Sequence, residues 1–464
     1  MEKLLKSKYY SIVVAFVIFA FWFMCYMQYS KADHMPSNYL VTFETIGLIV
    51  IGIVSAYLLI RHDDMFYAVP WIVYTPFVFS RPFDTQTIPY SLFIAGGLFF
   101  IGLVCHLIRF RKKLKMGSFF AGIALIGVSL VLGGINTNAP FLKEQIIFTS
   151  IAGVGLILIY VIFASNVRTS FRRTCRMLNN LGVLLCIQVM VSINHSADPL
   201  SFLITKNITV GWGSSNNIAM MLLLTFPCGT YLAIRSKGPK IVLYVFSVFV
   251  QMCIIIITYS RGAIAALIIG ASILFVITSI LVFKQERSSS ITYVASVAGF
   301  TILIGIGVIL FINTKNEYLL PYANGFKENI THINLTNFNG RNPIYENCIA
   351  KFKENMLFGQ GLYAPFYDND VTGGYQWGHS TVIHTMYTMG IVGLVALGIH
   401  FAQKYLNLLI KPNLEKITAC VCMFASGLYG LVDVSYYFIN YMVVLIMMLV
   451  CLERTIRLSF DIEE

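Results

Sequence analysis

Charge is scarce in this 464-residue chain: Asp, Glu, Lys and Arg make up 12% of it, against 57% hydrophobic residues and a mean hydropathy of +0.75. An ordinary soluble domain carries roughly 25% charged residues, so the composition excludes that class and points to a membrane protein. No CxxC pair and no Cys/His cluster with zinc spacing occurs, which leaves no sequence basis for a structural metal. Of the ten cysteines only Cys348 lies clearly inside a long polar interval, so no disulfide framework is available there. The chain also lacks a GxxxxGK[ST] loop and a GxGxxG fingerprint. ATP-driven transport by this chain is thereby excluded, and no nucleotide cofactor is implied.

What the sequence does have is a series of apolar runs. About twenty residues are needed to cross the hydrocarbon core as a helix. Runs of about that length fall at 9–29, 39–60, 65–80, 88–108, 116–135, 145–165, 177–193, 216–234, 241–258, 263–283, 291–313, 380–401, 417–432 and 436–452. The predicted fold is an all-α, polytopic transmembrane bundle of about 12 to 14 spans. The basic start, Met1 to Lys8, leads into a run longer than a usual signal sequence and without a small-residue cleavage site, so it reads as a retained first span.

The net charge of +12 does not mark a nucleic-acid partner, because the positive residues sit in short segments between apolar runs. With the N-terminus inside, inner segments hold 23 of the 33 Lys and Arg. The positive-inside rule is met with both termini cytoplasmic, and a multi-pass protein of the bacterial cytoplasmic membrane is expected. One loop stands apart, at 314–379, and it belongs to the extracytoplasmic side. It contains its own predicted amphipathic helix, since Ile344, Tyr345, Cys348, Ile349, Phe352 and Met356 recur at helical spacing opposite Lys351, Lys353 and Glu354. The early spans have no counterpart of this loop, which counts against a transporter built from repeated halves.

Charged and polar residues at membrane depth are costly and are the first candidates for function. Arg261, in Thr258-Tyr259-Ser260-Arg261-Gly262, separates two apolar runs with almost no loop. It either caps a tight hairpin at the headgroup level or presents a guanidinium to a diphosphate, whose oxygens match its planar fork. Arg341 precedes Asn342-Pro343 and the predicted loop helix, where first-turn amides add to its charge; a solvated loop arginine is the alternative. His379, in Gly378-His379-Ser380, stands where the loop meets the next span and has the side chain best suited to act as a base near neutrality. The stretch Gly211-Trp212-Gly213-Ser214-Ser215-Asn216-Asn217 offers amides to a sugar, or else an interfacial Trp followed by a helix cap. Glu44 and Asp433 are acids that either react or pair with an arginine, and Arg81 with Asp84 reads as a surface ion pair.

Three ordered segments together resemble the O-antigen ligase and polymerase superfamily of bacterial envelope enzymes. They are Gly211-Trp212-Gly213 through Asn217 and Ala219 with Pro227; Tyr259-Ser260-Arg261-Gly262-Ala263; and Gly340-Arg341, Tyr345, Phe358-Gly359-Gln360-Gly361, His379-Ser380, Gly390 and Gly393. The resemblance covers roughly residues 205–400 and departs from the family where Ser380 stands in place of the common Asn. It divides the chain into N-terminal transmembrane helices, 1–204, and a ligase/polymerase-like region, 205–464. It implies a metal-independent, cofactor-free glycosyltransferase that uses undecaprenyl-diphosphate-linked glycan and an acceptor glycan or lipid-linked acceptor at the outer face of the membrane. Polymerisation is favoured over ligation, since no acceptor dock is evident. His379 would be the base, Arg261 and Arg341 would hold the diphosphate, and Trp212, Asn216, Asn217 and Ser380 would bind substrate. Proteins of polysaccharide assembly are the protein partners it admits. The competing reading is a flippase or transporter for lipid-linked oligosaccharide.

Overall fold

The computed structural model describes residues 2–30, 38–79, 90–136, 142–196, 199, 208–285, 287–317, 319–331, 341–362, 378–434 and 436–460. Arg81 and Asp84, Gly340 and the remaining parts of the 314–379 loop lie outside the described residues. The described helices are, in chain order, α1 (Glu2–Leu5), α2 (Tyr10–Ser30), α3 (Asn38–Arg61), α4 (Val69–Tyr74), α5 (Tyr90–Phe110), α6 (Phe120–Ile135), α7 (Leu142–Asn166), α8 (Phe171–Asn194) and α9 (Ser215–Ile234). There follow α10 (Pro239–Ile257), α11 (Arg261–Gln285), α12 (Arg287–Ile312), α13 (Leu320–Thr331), α14 (Asn342–Glu354), α15 (Thr381–Leu409), α16 (Leu414–Tyr429) and α17 (Ile439–Phe460). A two-residue antiparallel pair, β1 (Thr209–Val210) with β2 (Gly213–Ser214), leads into α9.

The protein is an all-α, polytopic membrane bundle. Among the described residues, nine helices are long and apolar enough to cross a membrane, and four shorter apolar stretches accompany them: Tyr10–Met24, Met65–Val78, Phe120–Ile135 and Ile439–Glu453. The run at 65–80 departs from a single span. It is a 3-10 turn at Met65–Tyr67, then α4, then another 3-10 turn at Thr75–Val78, with Pro70 and Pro76 each at the start of a segment. Proline lacks the amide that a continuing helix needs. Even one unbroken helix over Met65–Val78 would reach only about 20 Å, short of a hydrocarbon core roughly 30 Å thick. Helix α8 starts earlier than the apolar run at 177, because Ser170 caps it by accepting from the Arg173 amide. Arg173 lies over the Phe66 ring at 4.7 Å and donates to the Leu5 carbonyl.

The chain forms two compact units that interleave in sequence, Met1–Lys112 with Asn166–Thr331, and Lys113–Ser165 with His332–Glu464. At the centre of the first unit is α9, almost wholly buried. A polar knot holds α8, α9 and α10 together: Asn179 Oδ1 accepts from Ser247 Oγ at 3.0 Å and from Gln251 Nε2 at 3.3 Å, and Thr225 Oγ1 donates to Gln251 Oε1 at 2.8 Å. Interhelical bonds of this kind contribute about 0.6 to 2 kcal/mol each in a bilayer.

In the second unit α6 packs on α15, and Glu453 of α17 satisfies the start of α6 by accepting from the Ser118 amide at 2.9 Å and from the Tyr160 hydroxyl. Helix α15 is broken at Gly390, whose φ of 63° and ψ of −157° leave the helical region. The segment 356–361 fills the break from both sides. Ile391 and Val392 amides donate to the Met356 and Leu357 carbonyls at 2.9 and 3.2 Å, while Gln360 and Gly361 amides donate to the Tyr387 and Thr388 carbonyls at 2.9 Å. The two backbones approach so closely that a Cβ at Gly390 would lie 2.5 Å from Leu357 C, and one at Gly359 would lie 2.5 Å from Met389 N. Phe358-Gly359-Gln360-Gly361 is thus the piece that replaces the hydrogen bonds lost where the helix breaks.

Candidate active site

In the second unit, the junction between loop and α15 is fastened to the turn that follows α16. The Thr381 amide donates to the Gly430 carbonyl at 2.8 Å and to the Asp433 carbonyl at 3.1 Å, and Thr381 Oγ1 donates to the latter at 3.2 Å. His379, two residues before the first residue of α15, is in the left-handed region with φ of 47°. That conformation costs a non-glycine residue about 1 to 2 kcal/mol, so it persists only where neighbours hold it. Tyr345 of α14 donates its hydroxyl to the His379 carbonyl at 3.1 Å, and the amide of Gly378 donates to Nδ1 of the buried His384 at 3.3 Å.

This turn sets the His379 imidazole beside a carboxylate, with Nδ1 at 3.7 Å from Asp433 Oδ1. Both side chains are mostly buried, at 20% and 14% exposure. Asp433 is held in place by the Tyr429 hydroxyl on Oδ2 at 2.9 Å and by the Val434 amide on Oδ1 at 2.8 Å. Burial alone would raise its pKa, but contact with His379, the charges of His379 and Arg341, and the Val434 amide outweigh burial and hold the carboxyl below the usual carboxylate range. Arg341 occupies the cap position of α14, where its side chain makes no cap bond, and its guanidinium donates to the Val432 carbonyl. Burial raises the Tyr345 phenol, with the Arg341 charge opposing it.

The second unit therefore brings Arg341, His379 and Ser380 into one cluster, to which the structure adds Asp433, Tyr345 and Tyr429. The sequence had marked Asp433 only as an acid able to pair with an arginine. Its position next to His379 carried no local signal, since the two are far apart in the chain, and the tyrosines carried none. Chemically, the cluster offers an imidazole oriented by an anion, a guanidinium, and the starts of two helices, α14 and α15, whose free amides favour an anion nearby.

Arg261, Trp212, Asn216 and Asn217 belong to the first unit. Arg261 opens α11 and is half-buried, following Tyr259, which is left-handed with φ of 52° and packs edge-on against Phe326 of α13 at 5.4 Å. The Ile264 amide donates to the Ser260 carbonyl at 2.9 Å, so the helix begins at once after the strained turn. Trp212, at the tip of the β1–β2 pair, is fully buried, its ring edge-on to Phe77 at 5.1 Å. Asn216 and Asn217, in the first turn of α9, are half-buried. Ser380 is buried and makes no side-chain cap bond. Glu44 lies within α3.

Residues 244–398 match the family model described as O-antigen ligase. This supports placing the region in the O-antigen ligase and polymerase superfamily, and the match takes in Arg261, Arg341, Tyr345, His379, Ser380 and Gly390. The β1–β2 pair and Asp433 lie outside the matched residues. Comparison with curated proteins gave no match.

Proposed function

We propose that this protein is a glycosyltransferase of the cytoplasmic membrane that moves a glycan from an undecaprenyl-diphosphate carrier to an acceptor hydroxyl at the outer face, elongating lipid-linked glycan and not capping a separate acceptor. The observation that carries the reading is the side-by-side placement of His379, Asp433 and Arg341 at the start of α15. In the reaction, the bond between the anomeric carbon and the diphosphate oxygen breaks while one to the acceptor oxygen forms. The acceptor proton passes to the imidazole, and the diphosphate leaves on the lipid. With Nδ1 turned to Asp433, Nε2 is the ring nitrogen that takes the proton, and the carboxylate favours the imidazolium that results. Arg341 and Arg261 are assigned to the diphosphate, where fixed cations stabilise the charge that develops on the leaving group. Asn216, Asn217, Trp212 and Ser380 are assigned to the substrate glycan, Trp212 through the shape of the hairpin it anchors.

The test is transfer by the purified protein in lipid, with a lipid-diphosphate oligosaccharide, EDTA present and no nucleotide. Longer glycan on lipid is the expected product, and His379→Ala and Arg261→Ala are each expected to remove it. Full activity in the double variant would sink the mechanism. Passage of the lipid between leaflets with no new glycosidic bond would establish a flippase instead.

A further inference from the structure

Helix α12 stands at the edge of its unit: no residue in its apolar window is buried. Between it and α10 lies an apolar cavity of about 430 Å3 lined by Phe249, Cys253, Tyr259, Gly307, Phe311 and Phe326 among others. Such a volume suits a substantial part of a small ligand, for which pockets run roughly 300 to 1,000 Å3. Phe326 of α13 closes one end, edge-on to both Tyr259 at 5.4 Å and Phe311 at 5.7 Å. Tyr259 is followed by Ser260 and Arg261. The cavity is therefore apolar along two membrane helices and ends two residues short of a guanidinium.

An occupant must have an apolar chain and an anionic head joined with little between them. A glycerolipid does not fit that description, because ester carbonyls separate its phosphate from its chains. The lining offers almost no polar group to pair with them, and an unpaired buried carbonyl is costly. A prenyl diphosphate has no such groups, since its first isoprene unit is bonded directly to the diphosphate. We propose that this cavity is the seat of the head-proximal isoprene units of a polyprenyl diphosphate, with Arg261 taking the diphosphate. The assignment rests on the donor named above and adds where its lipid is held.

Cys253 provides a native probe. The full-length protein, in detergent with no added lipid, is alkylated with N-ethylmaleimide, and the rate at Cys253 is read by peptide mass spectrometry. Undecaprenyl diphosphate without any glycan is expected to slow Cys253 about tenfold at ten times its Kd, with undecaprenol and phosphatidylglycerol protecting far less. Gly307→Leu should abolish the protection, since the space beside Gly307 is open and accepts the larger side chain. Equal protection by phosphatidylglycerol, no protection by the prenyl diphosphate, or a thiol that never reacts would each overturn the proposal. Because no glycan is present, failure here leaves the transfer reaction standing, and protection without transfer leaves the seat standing while removing the reaction.

Discussion

Replacing Asp433 by Asn keeps the shape of the side chain and removes its charge. The amide oxygen can still accept from the Val434 amide, but the Tyr429 hydroxyl, Arg341 and His379 lose the anion they share. At an effective dielectric near 20, unit charges 3.7 Å apart interact by about 4 to 5 kcal/mol. That figure is a ceiling, since the amide dipole and entering water recover part of it. About 2 to 3 kcal/mol remains as the added cost of forming an imidazolium at His379, and Arg341, now without a counter-charge, acts in the same direction. The expected result is a fall in kcat of about 10²-fold with a smaller change in KM, because the lost interaction strengthens only as the proton is transferred. The assay is single-turnover glycan transfer in reconstituted membranes, with the melting curve of the variant measured alongside. A variant that melts like the parent and transfers within threefold of its rate would refute the role given to the carboxylate.

Further outcomes follow from the same coordinates. Because the Asp433 pKa is lowered by folding, its stabilising effect is present above the unfolded value near 3.9 and is lost as pH falls through the lower folded value; the stability gap between parent and Asp433→Asn should therefore narrow below about pH 4 and stay constant between pH 5 and 8 in thermal melts. Gly390→Ala places a Cβ 2.5 Å from the Leu357 carbonyl carbon at a left-handed φ of 63°, and should cost at least about 2 to 4 kcal/mol, read as a lowered Tm or loss of folded protein. Burial pushes the Cys348 thiol up to about 12, so it should resist iodoacetamide at pH 8 in the folded protein and react on unfolding. Removing the hydroxyl in Tyr345→Phe frees the His379 carbonyl and should lower kcat several-fold, by about 1 kcal/mol, with thermal stability falling by a similar amount.

Hydropathy made the helices legible because a long apolar run in a membrane has few options other than a helix. The loop helix was equally plain, since Ile344 and Cys348, on its apolar stripe, are the residues that α14 buries. Where the text of the sequence failed, the cause was backbone geometry. The run at 380–401 reads as one span, yet Gly390 breaks it, and hydropathy does not register a φ of 63°. The run at 65–80 is apolar enough to cross but is cut by Pro70 and Pro76. Gly359 and Gly361 stood out as part of a pattern, and only the structure gives them a task, supplying amides to a helix that has lost its own. Asp433 was unreadable as a site residue for a different reason. Its neighbour His379 is reached through the docking of α15 on the turn after α16, a long-range contact with no periodic trace.

The strained turn at His379 links these elements into one argument. A left-handed histidine is unfavourable by itself, and what offsets it comes from different parts of the chain. Tyr345 of the loop helix holds its carbonyl, His384 holds the amide before it, and the carbonyls of Gly430 and Asp433 hold the amide of Thr381 after it. Arg341 sits at the start of that same loop helix and reaches the Val432 carbonyl, in the turn that carries Asp433. Docking of α14 therefore delivers the guanidinium and secures the imidazole in a single step. The orientation of the base is coupled to the seating of the loop, so substitutions on the buried face of α14, at Ile344 or Cys348, should reduce turnover although neither side chain belongs to the cluster.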